Sequence, residues 1–424
     1  MFIKSPQNQN SKRIPKGVQA LLLASAASAF GQIGQITLIG KQVFDMTGST
    51  FNLGMLGLAE FLPVAILSPI TGSIADRFDR RKVFAVSLAG EVTIAILLFL
   101  YIQNDPTSIL PIFGLVLLFG IFRASASPAS RALPIDLAPP DMLERVVALR
   151  TFSFMGGAIV GPVILGFVFI INPAFPYLVS ALAFTMGILM LTLVPQPPIR
   201  QHRPTGSKQI IEDAFEGLRF IRKTPIVLGA ISLDLFAVLF GGIIALLPAI
   251  AEQRLGVGAV GLGWLRAAVG IGAAGTALIL SIRPLRRHVG RRLLLVVAVF
   301  GVLTVGLGFT KSFFLAFVLL LLAASADSVS MFIRASLVPL ATPEDMRGRV
   351  LAVENVFIGA SNELGAVESG ITATLFGLVG AIFFGGIGTL VVVALWWKLF
   401  PTLRAIDTLE EIRPVQKSPG MNPT

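Results

Sequence analysis

Long apolar runs, separated by short polar or charged stretches, follow one another along the whole 424-residue chain. A helix that crosses a bilayer needs about 20 mostly apolar residues. Twelve runs qualify: Val18–Gly40, Asn52–Ala75, Val83–Ile102, Leu110–Ser130, Val146–Ile171, Tyr177–Val194, Ile226–Ile250, Val260–Ile282, Leu293–Thr310, Phe313–Ile333, Val350–Leu375 and Gly380–Phe400. These runs are too long for strands, so the pattern predicts an all-α membrane protein. The first run exceeds the apolar core of a secretory signal and no small-residue cleavage site stands out, so it is expected to be a span.

Composition agrees. The chain is 54% hydrophobic and 13% charged, whereas a soluble domain carries about 25% charged residues. So little charge cannot cover a soluble body of this length. The absence of cysteine removes thiol catalysis, disulfides and thiolate metal sites. The two histidines, His202 and His288, sit in basic loops, so no histidine metal cluster is expected. No phosphate-binding Gly-x-x-x-x-Gly-Lys-Ser/Thr, nucleophile elbow or His-Glu-x-x-His occurs. Neither an enzyme nor a resident cofactor is expected.

The net charge of +11 could indicate nucleic-acid binding, but the basic residues alternate with the spans and form no single patch. Of the 34 Lys and Arg residues, only Lys41, Arg254 and Lys311 fall in loops on one side, and Arg123, Arg150 and Arg266 fall within spans. All the others lie on the side of both termini, so the positive-inside rule predicts cytoplasmic N- and C-termini.

The longest polar stretch, Pro195–Pro225, divides the spans six and six. Within it Ile210, Ile211, Ala214, Phe215, Leu218 and Ile221 recur at helical spacing among charged residues. That reads as a surface amphipathic helix, with a plain linker as the alternative. The expected organisation is a tail over 1–17, a bundle over 18–194, a central loop over 195–225, a second bundle over 226–400 and a tail over 401–424. The halves repeat: Pro139, Asp141, Met142, Arg145, Val146 and Ala148 return as Pro343, Asp345, Met346, Arg349, Val350 and Ala352 at one offset. Gly161 and Gly166 return as Gly365 and Gly370 at that same offset. This is a parallel duplication, predicting two pseudo-symmetric bundles about an axis along the membrane normal.

The second polar loop reads Gly72-Ser-Ile-Ala-Asp76-Arg77-Phe-Asp79-Arg80-Arg81-Lys82. A carboxylate at the membrane boundary needs a partner, and Arg80 or Arg81 can return to Asp76 after a tight turn. The loop resembles the signature of the major facilitator superfamily, with Asp79 where a turn glycine is usual. Near Gly290-Arg291-Arg292 the second half keeps the basic end but no acid. The resemblance implies that Gly72, Asp76, Arg77, Arg80 and Arg81 form a gating loop on the cytoplasmic side.

In the fifth span Gly157, Gly161, Pro162 and Gly166 form a small-residue face suited to close helix packing. It resembles, in part, the Gly-x-x-x-Gly-Pro motif of the superfamily's proton-driven exporters, although packing alone also explains the spacing. Ser127-Pro128-Ala129 with Ala132-Leu133-Pro134, and Glu216-Gly217-Leu218-Arg219-Phe220, resemble the branch of bacterial macrolide efflux proteins and the enterobactin exporter.

Charges inside spans are costly and face a cavity or a partner. Candidates for such a role are Glu60, Glu91, Arg123, Asp234, Arg266, Asp327, Glu363 and Glu368. Arg123 and Asp327 share a repeat position, which raises a cross-cavity ion pair; pairing within each half is the alternative. Arg123 also resembles the span-four arginine of proton-coupled exporters. Asp234, Glu60, Glu363 and Asp327 are the proton-coupling candidates, because burial penalises an ionised carboxyl and a nearby cation restores it. Glu368 and Arg266 are expected near the outer interface. Phe30, Phe152, Phe154, Phe236 and Phe240 are expected to line the cavity.

The resemblance implies a monomeric secondary transporter of the bacterial cytoplasmic membrane that exports an amphipathic small molecule in exchange for protons. A lipid or metabolite carrier of the same fold and a non-transporting sensor are the alternatives.

Overall fold

The computed structural model describes residues 14–196, 207–283, 285 and 287–412, without the side chains of 68–70, 72–77 and 207–211. Among the described residues there are helices and no strands. The first half holds α1 (Lys16–Thr47), α2 (Thr50–Arg77), α3 (Arg80–Ile102), α4 (Leu110–Leu137), α5 (Leu143–Ile171) and α6 (Phe175–Thr192). A connecting helix, α7 (Ser207–Lys223), precedes α8 (Pro225–Phe240), α9 (Gly258–Ile282), α10 (Val289–Phe309) and α11 (Phe313–Ala341). The last long stretch, Glu344–Leu399, breaks at Gly377 (φ 75°, ψ 165°) into α12 (344–376) and α13 (378–399). A glycine sits there because that left-handed φ is costly for any residue with a Cβ.

Each of the twelve apolar runs has its own helix. Several helices overrun the apolar stretch that predicted them. α4 and α11 have 28 and 29 residues, about 42 Å at 1.5 Å per residue, against a hydrocarbon core of about 30 Å. Arg131 and Arg334, loop residues by hydropathy, therefore belong to helices.

The two bundles have separate cores. Leu21, Phe84, Phe119, Tyr177 and Phe184 are fully buried in the first, and Val227, Leu293, Leu337 and Val350 in the second. Lipid removes the hydrophobic drive between membrane helices, so close backbone approach must hold them. On α1 the buried face runs Leu21, Ala24, Ser28, Gly31, Gln35, Leu38 at helical spacing. Its small members let α5 lie against it.

The duplication is visible in the backbone. Pro139 (φ −56°, ψ 144°) and Pro343 (φ −56°, ψ 151°) start the two fourth loops alike. Met142 N donates to Pro139 O at 2.9 Å, and Met346 N donates to Pro343 O at 3.0 Å. Gly161 backs onto the Phe30 carbonyl of α1, as Gly365 backs onto the Val238 and Leu239 carbonyls of α8. Gly166 meets Ala259 of α9 across the bundle boundary, as Gly370 meets Gly54 of α2.

The seventh span differs from the continuous run that hydropathy predicts. α8 ends at Phe240, a 3₁₀ stretch follows over Gly242–Leu246, and a π-turn covers Ile250–Arg254. Irregular backbone at membrane depth is tolerated where it is buried or lines a cavity; Gly241, Gly242 and Pro248 line one. Helix α7 docks on the start of α12: Arg349 Nε contacts Asp213 Oδ1 at 2.8 Å, its Nη1 contacts Glu216, and Gly217 lies against the Arg349 carbonyl.

Candidate functional site

A cavity of about 610 Å³ lies between the bundles, within the roughly 300–1,000 Å³ of small-molecule sites. α2 contributes Glu60 and Phe61, α4 contributes Arg123 and Arg131, α9 contributes Arg266, and α12 contributes Asn355, Asn362 and Glu363. Away from the termini the bundles are pressed together. Gly54 meets Gly370, Gly166 meets Ala259, and Gly263 meets the Pro162 carbonyl. Thr50 Oγ1 lies 3.4 Å from Thr374 Oγ1, and Lys41 Nζ lies 3.1 Å from Glu252 Oε2. At the other end Arg131 and Asn355 are exposed. The cavity is closed opposite the termini and opens toward them.

The cavity holds a compact charge set. Arg123 forms an ion pair with Glu60 of the neighbouring helix. Glu363, on the other bundle, is within electrostatic range of both Arg123 and Arg266. Two carboxylates and two guanidinium groups thus face one another across the boundary between the bundles. Low local dielectric strengthens such interactions, and also the cost of leaving any member unpaired.

The sequence-predicted residues divide accordingly. Glu60, Arg123 and Glu363 come together here. Arg123 does not pair with Asp327: equal repeat position fixes depth, but helix rotation and neighbours choose partners, and α2 brings Glu60 to it. Asp327 lies in the second bundle with Asp234 and Arg334. Asp234 makes a buried pair with Arg334, Oδ1 to Nη2, at 2.6 Å, and is not among the residues lining the central cavity. Arg266 lines that cavity instead of the outer interface. Of the five expected phenylalanines, Phe236 packs tilted against Trp396 with ring centroids 5.4 Å apart and Phe240 packs on Phe384, and none lines this cavity. Its phenylalanine is Phe61.

In the fifth span, added Cβ atoms on Gly157 and Gly161 would collide with the Ala26 and Phe30 carbonyls, so these residues fit α5 to α1. Gly166 instead faces the other bundle, and Pro162 offers its carbonyl to Gly263 there.

The side chains of Gly72, Asp76 and Arg77 lie outside the described residues. Arg80 Nη1 holds Asp136 Oδ2 of α4 at 2.7 Å. Arg81 Nη1 donates to the Val194 carbonyl at 2.8 Å. Asp79 accepts from Arg81 N at 2.9 Å and so caps α3; its φ is −57°, which requires no glycine. In the second half the missing acid is supplied by the segment after α13. Asp407 accepts from His288 N at 3.0 Å and contacts His288 Nδ1 at 2.6 Å. No local motif around Gly290 could have announced a partner more than a hundred residues away.

Sequence reasoning also missed Arg334 and Glu354, each under 7% exposed within the second bundle. In the first bundle Gln32 Nε2 donates to the fully buried Glu91 at 2.8 Å.

Residues 15–420 match the family described as transmembrane secretion effector, of the major facilitator type. The chain is 25% identical over 379 residues to the uncharacterized MFS-type transporter YfiS of Bacillus subtilis (strain 168), covering 86% of this chain and 89% of that protein. It is 27% identical over 397 residues to the enterobactin exporter EntS of Escherichia coli O127:H6 (strain E2348/69 / EPEC), covering 91% and 92%. Among solved structures, the nucleoside transporter NupG superposes with a TM-score of 0.74 at 12% identity, covering 91% of this chain and all of that one. The xylose transporter XylE of E. coli gives 0.70 at 14%, covering 93% and 99%. At such identities these two likenesses speak for the fold alone.

Proposed function

This chain belongs to the transmembrane secretion effector family of the major facilitator superfamily, and from that premise we propose that it is a proton-coupled exporter of an amphipathic small molecule. It works as a monomer in the bacterial cytoplasmic membrane with both termini in the cytoplasm, an orientation the distribution of Lys and Arg supports. The cavity described above is then the inward-facing state. Export agrees with the role of the EntS relative, an enterobactin exporter.

The observation that carries the reading is the charge set of Glu60, Arg123, Glu363 and Arg266 shared by the two bundles. With both carboxylates ionised, attraction draws α2, α4, α9 and α12 together around the cavity. A proton on Glu60 releases Arg123 from its partner, and a proton on Glu363 removes the charge that reaches across the boundary. Protonation therefore changes the balance of forces between the bundles. A ligand or proton can shift a conformational equilibrium only through such differential interaction. Protons taken up from outside and released inside would drive the bundles to rock about the midplane, carrying substrate the other way. The cavity joins apolar Phe61, Leu53 and Ile358 to these charges, a lining suited to an amphipathic molecule.

The test uses purified protein in proteoliposomes with a pH-sensitive dye inside and a panel of dyes, macrolides and siderophores. Substrate-dependent proton flux in the wild type, lost in Glu60→Gln or Glu363→Gln while the substrate still binds, supports antiport. Substrate moving down its own gradient with no proton flux identifies a facilitator and overturns the coupling.

A further inference from the structure

A second pocket, about 160 Å³, opens off the central cavity into the first bundle and shares Arg123, Ser127 and Arg131 with it. Ser25, Ser28 and Gln32 of α1, Ser130 of α4 and Arg150 of α5 complete its polar wall. We infer that this side pocket is a subsite for the anionic group of the transported substrate, a carboxylate, phosphate or sulfonate, gripped by Arg131 and Arg150.

The first argument is charge. Arg123 is matched by Glu60. Arg131 and Arg150 make no ion pair among the described residues, and the two are within electrostatic range of one another. Two like charges held together in a half-enclosed pocket repel, and an anion between them offsets that cost. Of the bundle's other buried carboxyls, Glu91 accepts from the Gln32 amide and Asp136 is held by Arg80.

The second argument is the inventory of donors. Arg150 Nη2 donates to Ser130 Oγ at 3.3 Å and its guanidinium lies over the Phe154 ring, 5.7 Å from the centroid, while its Nε has no hydrogen-bond partner. Ser25 Oγ, on a residue only 2% exposed, has none either. Buried polar atoms are almost always satisfied, and guanidinium groups offer donors only. The ligand such a wall lacks is an acceptor. Guanidinium forks bind oxyanions through paired, charge-assisted hydrogen bonds.

The third argument comes from the duplication. The offset that relates Pro139 to Pro343 places Glu354 at the position of Arg150 and Arg334 at that of Ser130. In the second bundle the chain brings its own carboxylates to the arginine: Asp234 pairs with Arg334, and Glu354 lies within electrostatic range of it. In the first bundle the same layer carries arginine and serine and no acid. The carboxylate that one repeat supplies internally is left in the other for a ligand to bring. A water molecule occupies about 30 Å³, so 160 Å³ admits a headgroup of carboxylate or phosphate size while the main cavity takes the body.

The inference rests on the transporter reading only in naming the occupant a substrate, so its test measures binding, with no proton gradient and no transport. Wild type in phosphatidylcholine nanodiscs is titrated with 2-naphthoate, followed by its fluorescence, and with the neutral 2-naphthamide. Tighter binding of the anion is expected, with that preference reduced about tenfold, the weight of one charged hydrogen bond, in Arg150→Gln and in Arg131→Gln, and reduced less in Ser25→Ala. Should Arg150→Gln not fold, as judged by thermal melting, Arg131→Gln at its exposed position decides. Equal affinity for the two naphthalenes, or an unchanged preference in the arginine variants, overturns the assignment. Loss of naphthoate binding in phosphatidylglycerol nanodiscs would also overturn it, by making the occupant a lipid phosphate.

Discussion

Lys41, buried near the end of α1, holds Glu252 of the opposite bundle at 3.1 Å and Asp45 of its own helix at 2.5 Å. The pair ties the bundles together on the face away from the termini, beside the contact of Thr50 with Thr374. It is poised to part when that face opens. Because the chain has no cysteine, the protein offers a clean background for cross-linking there. Thr50→Cys with Thr374→Cys is expected to form a disulfide under mild oxidation, to stop transport, and to recover on reduction. Lys41→Ala is expected to slow that cross-linking by favouring the open face. Cross-linking as fast in the Lys41 variant as in its parent would show that the ion pair does not hold the closed state.

The glycines of α5 serve two different contacts and are expected to fail differently. Gly161 backs onto Phe30 within one bundle, and Gly166 onto Ala259 across the boundary. Overpacking costs about 1–3 kcal/mol where the neighbours cannot yield, and carbonyl groups of a helix yield little. Gly161→Val should therefore lower the melting temperature of the whole protein. Gly166→Val should leave melting nearly unchanged, raise the labelling of a cysteine placed at Thr50, and impair transport. Equal loss of melting temperature in both would refute the division.

The loop before α3 gives a smaller, sharper test. Asp79 accepts from Arg81 N and caps the helix. Removing such a cap by alanine costs about 1 kcal/mol, whereas glycine costs a few tenths. Asp79→Gly, which restores the residue usual in the superfamily, should thus be milder in thermal melting than Asp79→Ala. The reverse order would mean that Asp79 acts through its ion pair with Arg81 and not as a cap.

These residues also show how far the sequence can be read. Helix number and duplication follow from hydropathy and repeat register, because spanning a bilayer forces long apolar runs. Glu60, Arg123 and Glu363 stand out for the same reason, since charge within such runs demands a purpose. The pairing of Arg123 was not legible, because register gives depth and leaves rotation open. Arg131 and Arg334 looked like loop cations because α4 and α11 extend beyond the apolar core that hydropathy detects. The clasp of Asp407 on His288 joins positions with no shared local pattern. The break after Phe240 hid in an uninterrupted apolar run, where only Gly241-Gly242 and Pro248 hint that the backbone departs from a helix.

Asp234 illustrates the hazard of choosing a proton carrier from the sequence. It is 5% exposed and Arg334 is 3% exposed, and the two form the closest pairing in a cluster that includes Asp327 and Glu354. Removing one partner of a buried pair strands the other charge, at about 3–5 kcal/mol, while removing both can be nearly neutral. Asp234→Asn alone is therefore expected to lower yield and melting temperature and to abolish transport through misfolding. Asp234→Asn combined with Arg334→Gln should recover much of the stability, and with it substrate-dependent proton flux. If the double variant is stable, binds substrate and yet moves no protons, Asp234 belongs to the coupling machinery and the role proposed for Glu60 and Glu363 must be shared with it. If flux returns, the pair is a structural bolt of the second bundle, and coupling rests with the carboxylates that face the cavity.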